Sequence, residues 1–189
     1  MQLKLYPTLG CCGLDCGLCP RYYTEGSSRC PGCYGPGFTT KHPSCHFITC
    51  CVKRKGLEVC ALCGEFPCEH TEDSNTVADS FISHRRTLAN LLYIKDNGLE
   101  SFILQQKRKI ALLELMLGEF DEGRSKSFYC LAAALLPTDV LELSLERCWE
   151  EIQAAGINSD DKKRSAQLLK ARLNSKAQEA GIELKLRKK

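Results

Sequence analysis

The chain lacks the signatures of the common catalytic families. It has no HExxH pair, no Gly-rich dinucleotide fingerprint, no phosphate-binding loop of the Walker type and no Ser/His/Asp pattern. No apolar run approaches the ~20 residues that span a bilayer. The opening MQLKLYPTLG has one Lys and no apolar stretch of signal-peptide length, so the expected compartment is cytoplasmic, with no membrane partner. Aromatic residues are 7% of the chain and none follows Trp149. The Lys/Arg-rich C-terminal stretch therefore has no interleaved rings on which nucleic-acid bases could stack.

Cysteine is what the chain has in excess. Twelve of its fourteen cysteines fall between Cys11 and Cys68. Packing does not need such a density, because a buried thiol is only a small apolar group. In a reducing compartment disulfides are rare, and clustered thiols read as metal ligands. The gaps Cys16-x2-Cys19, Cys30-x2-Cys33 and Cys60-x2-Cys63 each let two thiolates of one turn face one metal. Cys12, Cys45, Cys50, Cys51 and Cys68 complete the expected ligand set. One cysteine of each adjacent pair, Cys11–Cys12 and Cys50–Cys51, reads as a spare or as serving a different site, and Cys11 stays outside the ligand set. Residues 1–71 are rich in Gly and Pro and poor in hydrocarbon, so metal ligation would supply folding free energy that a core cannot.

Two metal chemistries fit. Short Cys triplets and the Cys19–Pro20 and Cys30–Pro31 pairs suit iron–sulfur clusters, and two four-iron clusters would take eight thiolates. This is the favoured reading. Zinc is the alternative, since Cys16-x2-Cys19-x10-Cys30-x2-Cys33 has ribbon spacing and Cys60-Ala-Leu-Cys63-Gly64 resembles a knuckle. His42, His46 and His70 could complete mixed zinc sites, but an isolated loop His is usually solvated, and all three stay off the ligand list. Metal-bound thiolates are anionic, so the formal net charge of +3 overstates the basicity of a loaded chain.

The series Cys12-Gly-Leu-Asp-Cys16-x2-Cys19-Pro-x-Tyr22, Cys30-x-Gly32-Cys33, Cys45, Cys50, Cys60-x2-Cys63 and Glu65-Phe66-Pro67-Cys68-Glu69 resembles a cysteine-rich family catalogued as domain of unknown function 3795. The resemblance covers residues 10–70 well and the remainder loosely. It implies a metal-binding module and gives no substrate. The family occurs mostly in anaerobes, which favours iron–sulfur.

Beyond His70, Gly and Pro thin out and helix formers take over. The expected fold is mainly α: a metal module over residues 1–71, then a bundle of about five helices over 72–189. Ser74 or Asn75 would cap a first helix running to Asp96, with Val77, Phe81, Leu88, Leu91 and Leu92 facing the core. A second would span Leu99–Leu117 and stop at Gly118. A third, buried, would begin near Phe128 and end at Pro137. A fourth would run from Thr138 or Asp139 to Ala155, and a fifth from Ser159 or Asp160 to Gly181. The alternating ends MQLKL and IELKLRKK could pair as short edge strands. Cys130 and Cys148 lie in apolar helical surroundings and read as core thiols.

Residues 72–161 hold nine Lys and Arg against sixteen Asp and Glu, whereas residues 162–189 hold ten against two. A basic helix packed on an acidic bundle explains this, and a surface for an acidic protein or RNA is the sharper alternative. The loop Gly123-Arg124-Ser125-Lys126-Ser127, at a helix start, is a candidate phosphate or carboxylate site. The functional expectation is electron or cluster transfer to a protein partner. The alternatives are a zinc-stabilised protein- or RNA-binding module, and a small enzyme with an open cluster or thiolate near residues 123–127.

Overall fold

Leucine, isoleucine and phenylalanine recur at helical spacing from Leu99 onward, and they form the longest helix, α3 (Leu99–Phe120), on which the other elements pack. The computed structural model describes residues 3–42, 44–72, 78–158 and 160–187. Around α3 lie a single turn, α1 (Glu69–Glu72), and four further helices: α2 (Thr87–Asn97), α4 (Lys126–Leu135), α5 (Thr138–Ala154) and α6 (Lys162–Glu179). No strand occurs among the described residues. No helix among them is long and apolar enough to cross a membrane.

The main core is an interhelical one. Leu113, Met116 and Phe120 of α3 meet Tyr129, Ala132 and Ala133 of α4, Leu141, Leu145 and Cys148 of α5, and Leu169, Leu173 and Ala177 of α6. From Phe128 onward helix α4 is apolar on every side, and it is buried from Tyr129 to Leu135. Cys130 and Cys148 are buried in this core, as their surroundings predict. Burial pushes their thiols up, to about 12 and about 11.

The cysteine-rich segment does not stand apart from the helices. Its Leu18 is fully buried in the main core. Its Leu9, Val59, Ala61 and Phe66 form a second core with Leu91 and Ile94 of α2 and Phe102 and Ile103 of α3. A third, small core lies within the segment and is built from Cys11, Cys33, Tyr34, Ile48 and Cys51. Three of those five are cysteines, so sulfur stands where a larger domain would have hydrocarbon.

Several helix limits differ from the sequence reading. The expected cap at Ser74 or Asn75, and Val77, lie outside the described residues, as does Ser159. Helix α2 begins only at Thr87, and the stretch 78–86 is irregular. The Asp79 carboxylate accepts the His84 and Arg187 amides at 2.8 Å each, a local bond that competes with a helix. Phe81 is consequently 61% exposed, and Leu92 is exposed too, while Leu91 faces the core. Helix α3 runs through Gly118. One helical Gly costs about 1 kcal/mol, and the burial of Phe120 beyond it outweighs that. Helix α5 matches its expected span to within a residue. Helix α6 starts later than expected, and Asp161 caps it by accepting the Arg164 amide at 3.1 Å. Near the C-terminus the chain is a strap rather than a strand. Arg85 donates to the carbonyls of Glu183 and Lys185 at 2.8 Å each.

Candidate metal centre

The motif around Cys12 and Cys16 is bolted to the helices. Asp15 accepts from Asn90 Nδ2 of α2 at 2.8 Å and from Gln106 Nε2 of α3 at 2.9 Å. The same two amides donate to the Gly13 and Thr8 carbonyls at 2.9 and 3.1 Å. Gly13 has φ +87°, and a Cβ there would stand 2.3 Å from the Thr87 carbonyl oxygen, so this contact with α2 requires glycine.

Two of the three short Cys gaps wind into single 3-10 turns, Cys16–Leu18 and Cys60–Leu62. The Cys19 and Cys63 amides close them on the Cys16 and Cys60 carbonyls at 3.2 and 3.0 Å. Side chains three apart on such a turn eclipse one another, which brings each pair of thiols to one side. The third gap turns at Gly32. Its φ is +81°, and a Cβ would meet the Pro7 oxygen at 2.3 Å. The Cys33 amide donates to that oxygen at 2.7 Å. A longer-range bond, Cys60 N–H to the Cys11 carbonyl at 2.9 Å, joins the two ends of the segment. Cys50 and Cys51 lie on a π-helical turn, Ile48–Arg54.

The thiols fall into three neighbourhoods. The first joins the buried Cys11, Cys33 and Cys51 to the half-buried Cys12, Cys16 and Cys45. The Cys33 thiol donates to Cys11 Sγ at 3.9 Å. The Cys51 thiol donates to the Leu57 carbonyl at 3.4 Å. Burial, then the neighbouring Cys33, pushes Cys12 up to about 12 and raises Cys16. The bond to Cys11, then burial, raises Cys33. The neighbouring Cys11 lowers Cys51, but the neighbouring Cys60 and burial outweigh it and push Cys51 up to about 12. The Lys4 ammonium, its side chain 0% exposed, acts on Cys11, Cys12, Cys16, Cys33 and Cys51 in the opposite sense. It is anchored by the Leu9 carbonyl, and Glu58 lies 3.8 Å away. A buried cation beside buried thiols suits a group that becomes anionic when metal displaces the thiol protons.

The second neighbourhood is a cleft of about 150 Å³ lined by Cys50, Cys51, Cys60, Cys63 and Cys68, with Lys55, Glu65, Glu69 and His70 around them. Lys55 Nζ donates to Cys63 Sγ at 3.1 Å and pairs with Glu65 at 2.8 Å. The Glu65 amide, then the Lys55 ammonium, hold the Cys63 thiol below its ordinary value. Three residues of the EFPCE motif are thereby accounted for. Glu65 orients Lys55, Phe66 anchors the loop in the second core, and Cys68 faces the cleft. Lys95 fastens it further, donating to the Phe66 carbonyl at 3.2 Å.

The third neighbourhood is a cleft of about 250 Å³ between Cys16, Cys19, Cys30 and His42, walled by Arg21, Lys41 and Phe81. Cys30 Sγ lies 3.2 Å from His42 Nε2. Burial, then the Arg21 charge, hold His42 below its ordinary value. Among the described residues, no three His, Cys, Asp or Glu side chains are placed closely enough to hold a single ion.

Sequence reasoning left out three participants. Cys11, read as a spare, is central to the buried sulfur group. His42, left off the ligand list, touches Cys30. Lys4 had no sequence signal at all, because its role depends on burial. The loop at residues 123–127 is arranged differently from an open anion site. The Gly123 and Ser125 amides donate to Asp121 Oδ1 at 3.0 and 2.9 Å, and Ser125 Oγ donates to Glu122. The chain's own carboxylates occupy those donors, and the Lys126 ammonium reaches back to the Tyr23 carbonyl at 3.5 Å.

Residues 8–73 match the family model described as Protein of unknown function (DUF3795). The match agrees with the resemblance read from the CGLDC and EFPCE motifs, and the matched segment contains all twelve clustered cysteines. No curated protein matches the chain. No solved structure matches it either.

Proposed function

We propose that the protein binds metal through the clustered cysteines at two centres, and that the centre in the Cys50–Cys68 cleft takes an iron–sulfur cluster used for electron or cluster transfer to a protein partner. The observation that carries this reading is the cleft itself. Five thiols surround about 150 Å³ of space. Four thiolates on one zinc ion would draw together until about 3.8 Å apart, which follows from Zn–S bonds of about 2.3 Å, and would leave no such space. A four-iron cluster has bulk of its own and takes four Cys ligands. Bound there, it would supply one-electron redox chemistry. The chain's residues would hold it and tune it, with the Lys55 ammonium offsetting thiolate charge at Cys63. The cleft lies next to exposed Glu69 and the half-exposed His70 imidazole, within reach of a partner's surface.

Zinc remains the second reading because of one distance. Cys11 and Cys33 stand 3.9 Å apart, close to the roughly 3.8 Å edge of a tetrahedral thiolate site. The two readings separate in the visible and paramagnetic spectra of chain purified without oxygen. The cluster reading expects a brown protein that bleaches with dithionite and develops a reduced-cluster signal, most of which is lost in a Cys60→Ser, Cys63→Ser double variant. A colourless chain, silent under dithionite, would overturn the cluster reading.

A further inference from the structure

We infer that His42 is a metal ligand, the single nitrogen donor of a mixed centre whose sulfur donors are Cys16, Cys19 and Cys30. The inference rests on the reading that the clustered thiols hold metal, and it deepens that reading by naming a donor outside the cysteines. All four side chains line the same cleft. Cys16 and Cys19 are presented by one 3-10 turn, and the Cys30 amide is pinned to the Arg21 carbonyl at 2.9 Å, two residues after Cys19.

The imidazole is placed with more care than a solvated loop histidine needs. Its ring stacks on Phe38, with centroids 4.3 Å apart and planes 5° from parallel. Its amide donates to the Phe38 carbonyl at 3.0 Å. Lys41 Nζ donates to the Arg29 carbonyl at 2.7 Å, closing the loop so that residues 29–30 meet residues 41–42. The result is the 3.2 Å separation of His42 Nε2 and Cys30 Sγ. A thiolate about 2.3 Å and an imidazole nitrogen about 2.0 Å from one tetrahedral ion stand roughly 3.5 Å apart. The pair is therefore within a few tenths of an ångström of ligand separation, and binding would draw the Cys16 and Cys19 side chains in from the wall of the same cleft. Three thiolates and a neutral imidazole leave a divalent ion with a net negative charge, and the cations Arg21 and Lys41 in the cleft wall offset it. Such a donor set suits a borderline-soft divalent ion of the zinc type.

Titration of the metal-free full chain with Co²⁺ tests this, because cobalt's visible bands report the donor atoms. Wild type should show a component with three sulfurs and one nitrogen. His42→Cys should keep the number of ions bound and move that component to longer wavelength. His42→Ala should weaken binding of one equivalent at least about tenfold. A merely structural His42 would leave the bands of His42→Cys unmoved, and its replacement by Ala would leave the stoichiometry intact. Either result overturns the inference while metal binding by the cysteines stands. A wild-type chain that takes up no Co²⁺ overturns both.

Discussion

Asp15 sits inside the sequence CGLDC, where a ligand role would be a natural guess, yet its two oxygens are held by Asn90 and Gln106. Its work is to clamp the cysteine loop onto α2 and α3. Asp15→Ala would leave both amide donors without their charged acceptor, and hydrogen bonds to charged groups contribute about 1.5–3 kcal/mol each in net terms. The expected result is about 2–4 kcal/mol lower stability in urea together with weaker metal retention, whereas Asp15→Asn keeps one acceptor and loses less. Lys4 makes the complementary case. Lys4→Met removes a buried cation from beside the thiols, and breaking a buried charge pair costs about 3–5 kcal/mol. The urea midpoint should fall accordingly, and a change under about 0.5 kcal/mol would show that Lys4 plays no part in balancing the sulfur group. Neither role could be read from the chain alone. Sequence spacing reveals which residues share a turn, but Asp15 and Lys4 act through contacts set by the tertiary fold.

At the level of elements, the helices that were legible were those with both a periodic apolar face and a stop signal. Helix α5 lies between Pro137 and Gly156, and α4 ends against Pro137, so their limits were set by residues with one strong local preference. Helix α2 was misjudged at its start because Phe81 and Leu88 share a helical face in sequence. The Asp79 hydrogen bonds and the C-terminal strap hold 78–86 out of the helix instead. The strap makes its own prediction. The side chain of Asp79 is 0% exposed and accepts the Arg187 amide. Asp79→Ala should release residues 182–187, seen as rapid cleavage of the C-terminal end by a nonspecific protease, with about 1–3 kcal/mol lost. Helix α6 shows why a basic stretch needs no external partner to be accommodated. Lys170 pairs with Glu122 at 3.1 Å, Arg172 pairs with Glu151, and Lys162 donates to the Gly118 carbonyl at 2.9 Å.

Over the whole molecule, the cysteine segment and the bundle share two cores, through Leu18 in one and Leu9, Val59 and Phe66 in the other. If the cysteines hold metal as proposed, ligation and helix packing would be coupled, and chelation should lower a single unfolding transition rather than split it in two. Two well-separated transitions would contradict the coupling. Alkaline stability tests the bundle core independently of the metal. Burial pushes the Cys130 thiol from an ordinary value of 9.0 up to about 12. Below about pH 9 the thiol is neutral in both states and its packing contribution is intact. Between about pH 9 and 12 the unfolded chain ionises first, so stability falls, by up to about 1.4 kcal/mol per pH unit. Cys130→Ala should be less stable at pH 7 but lose less on going from pH 8 to pH 10. The proposed metal centres would respond in the opposite sense: thiol ligands bind metal deprotonated, so acid should release it.

The general location of the site was legible because cysteine spacing is itself a chemical pattern. The division of the thiols was not, since Cys11 and Cys33 are held by distant residues, the Cys60 amide and the Pro7 carbonyl, rather than by their neighbours in sequence. The central claim is that these thiols hold metal and that the cleft between Cys50 and Cys68 holds a cluster. Counting iron, zinc and acid-labile sulfide per chain, on protein purified without oxygen, tests it most directly. The account predicts iron and sulfide in equal amounts, at least about four of each per chain. Zinc alone, without sulfide, would contradict the cluster, and a chain with neither metal would contradict the account as a whole.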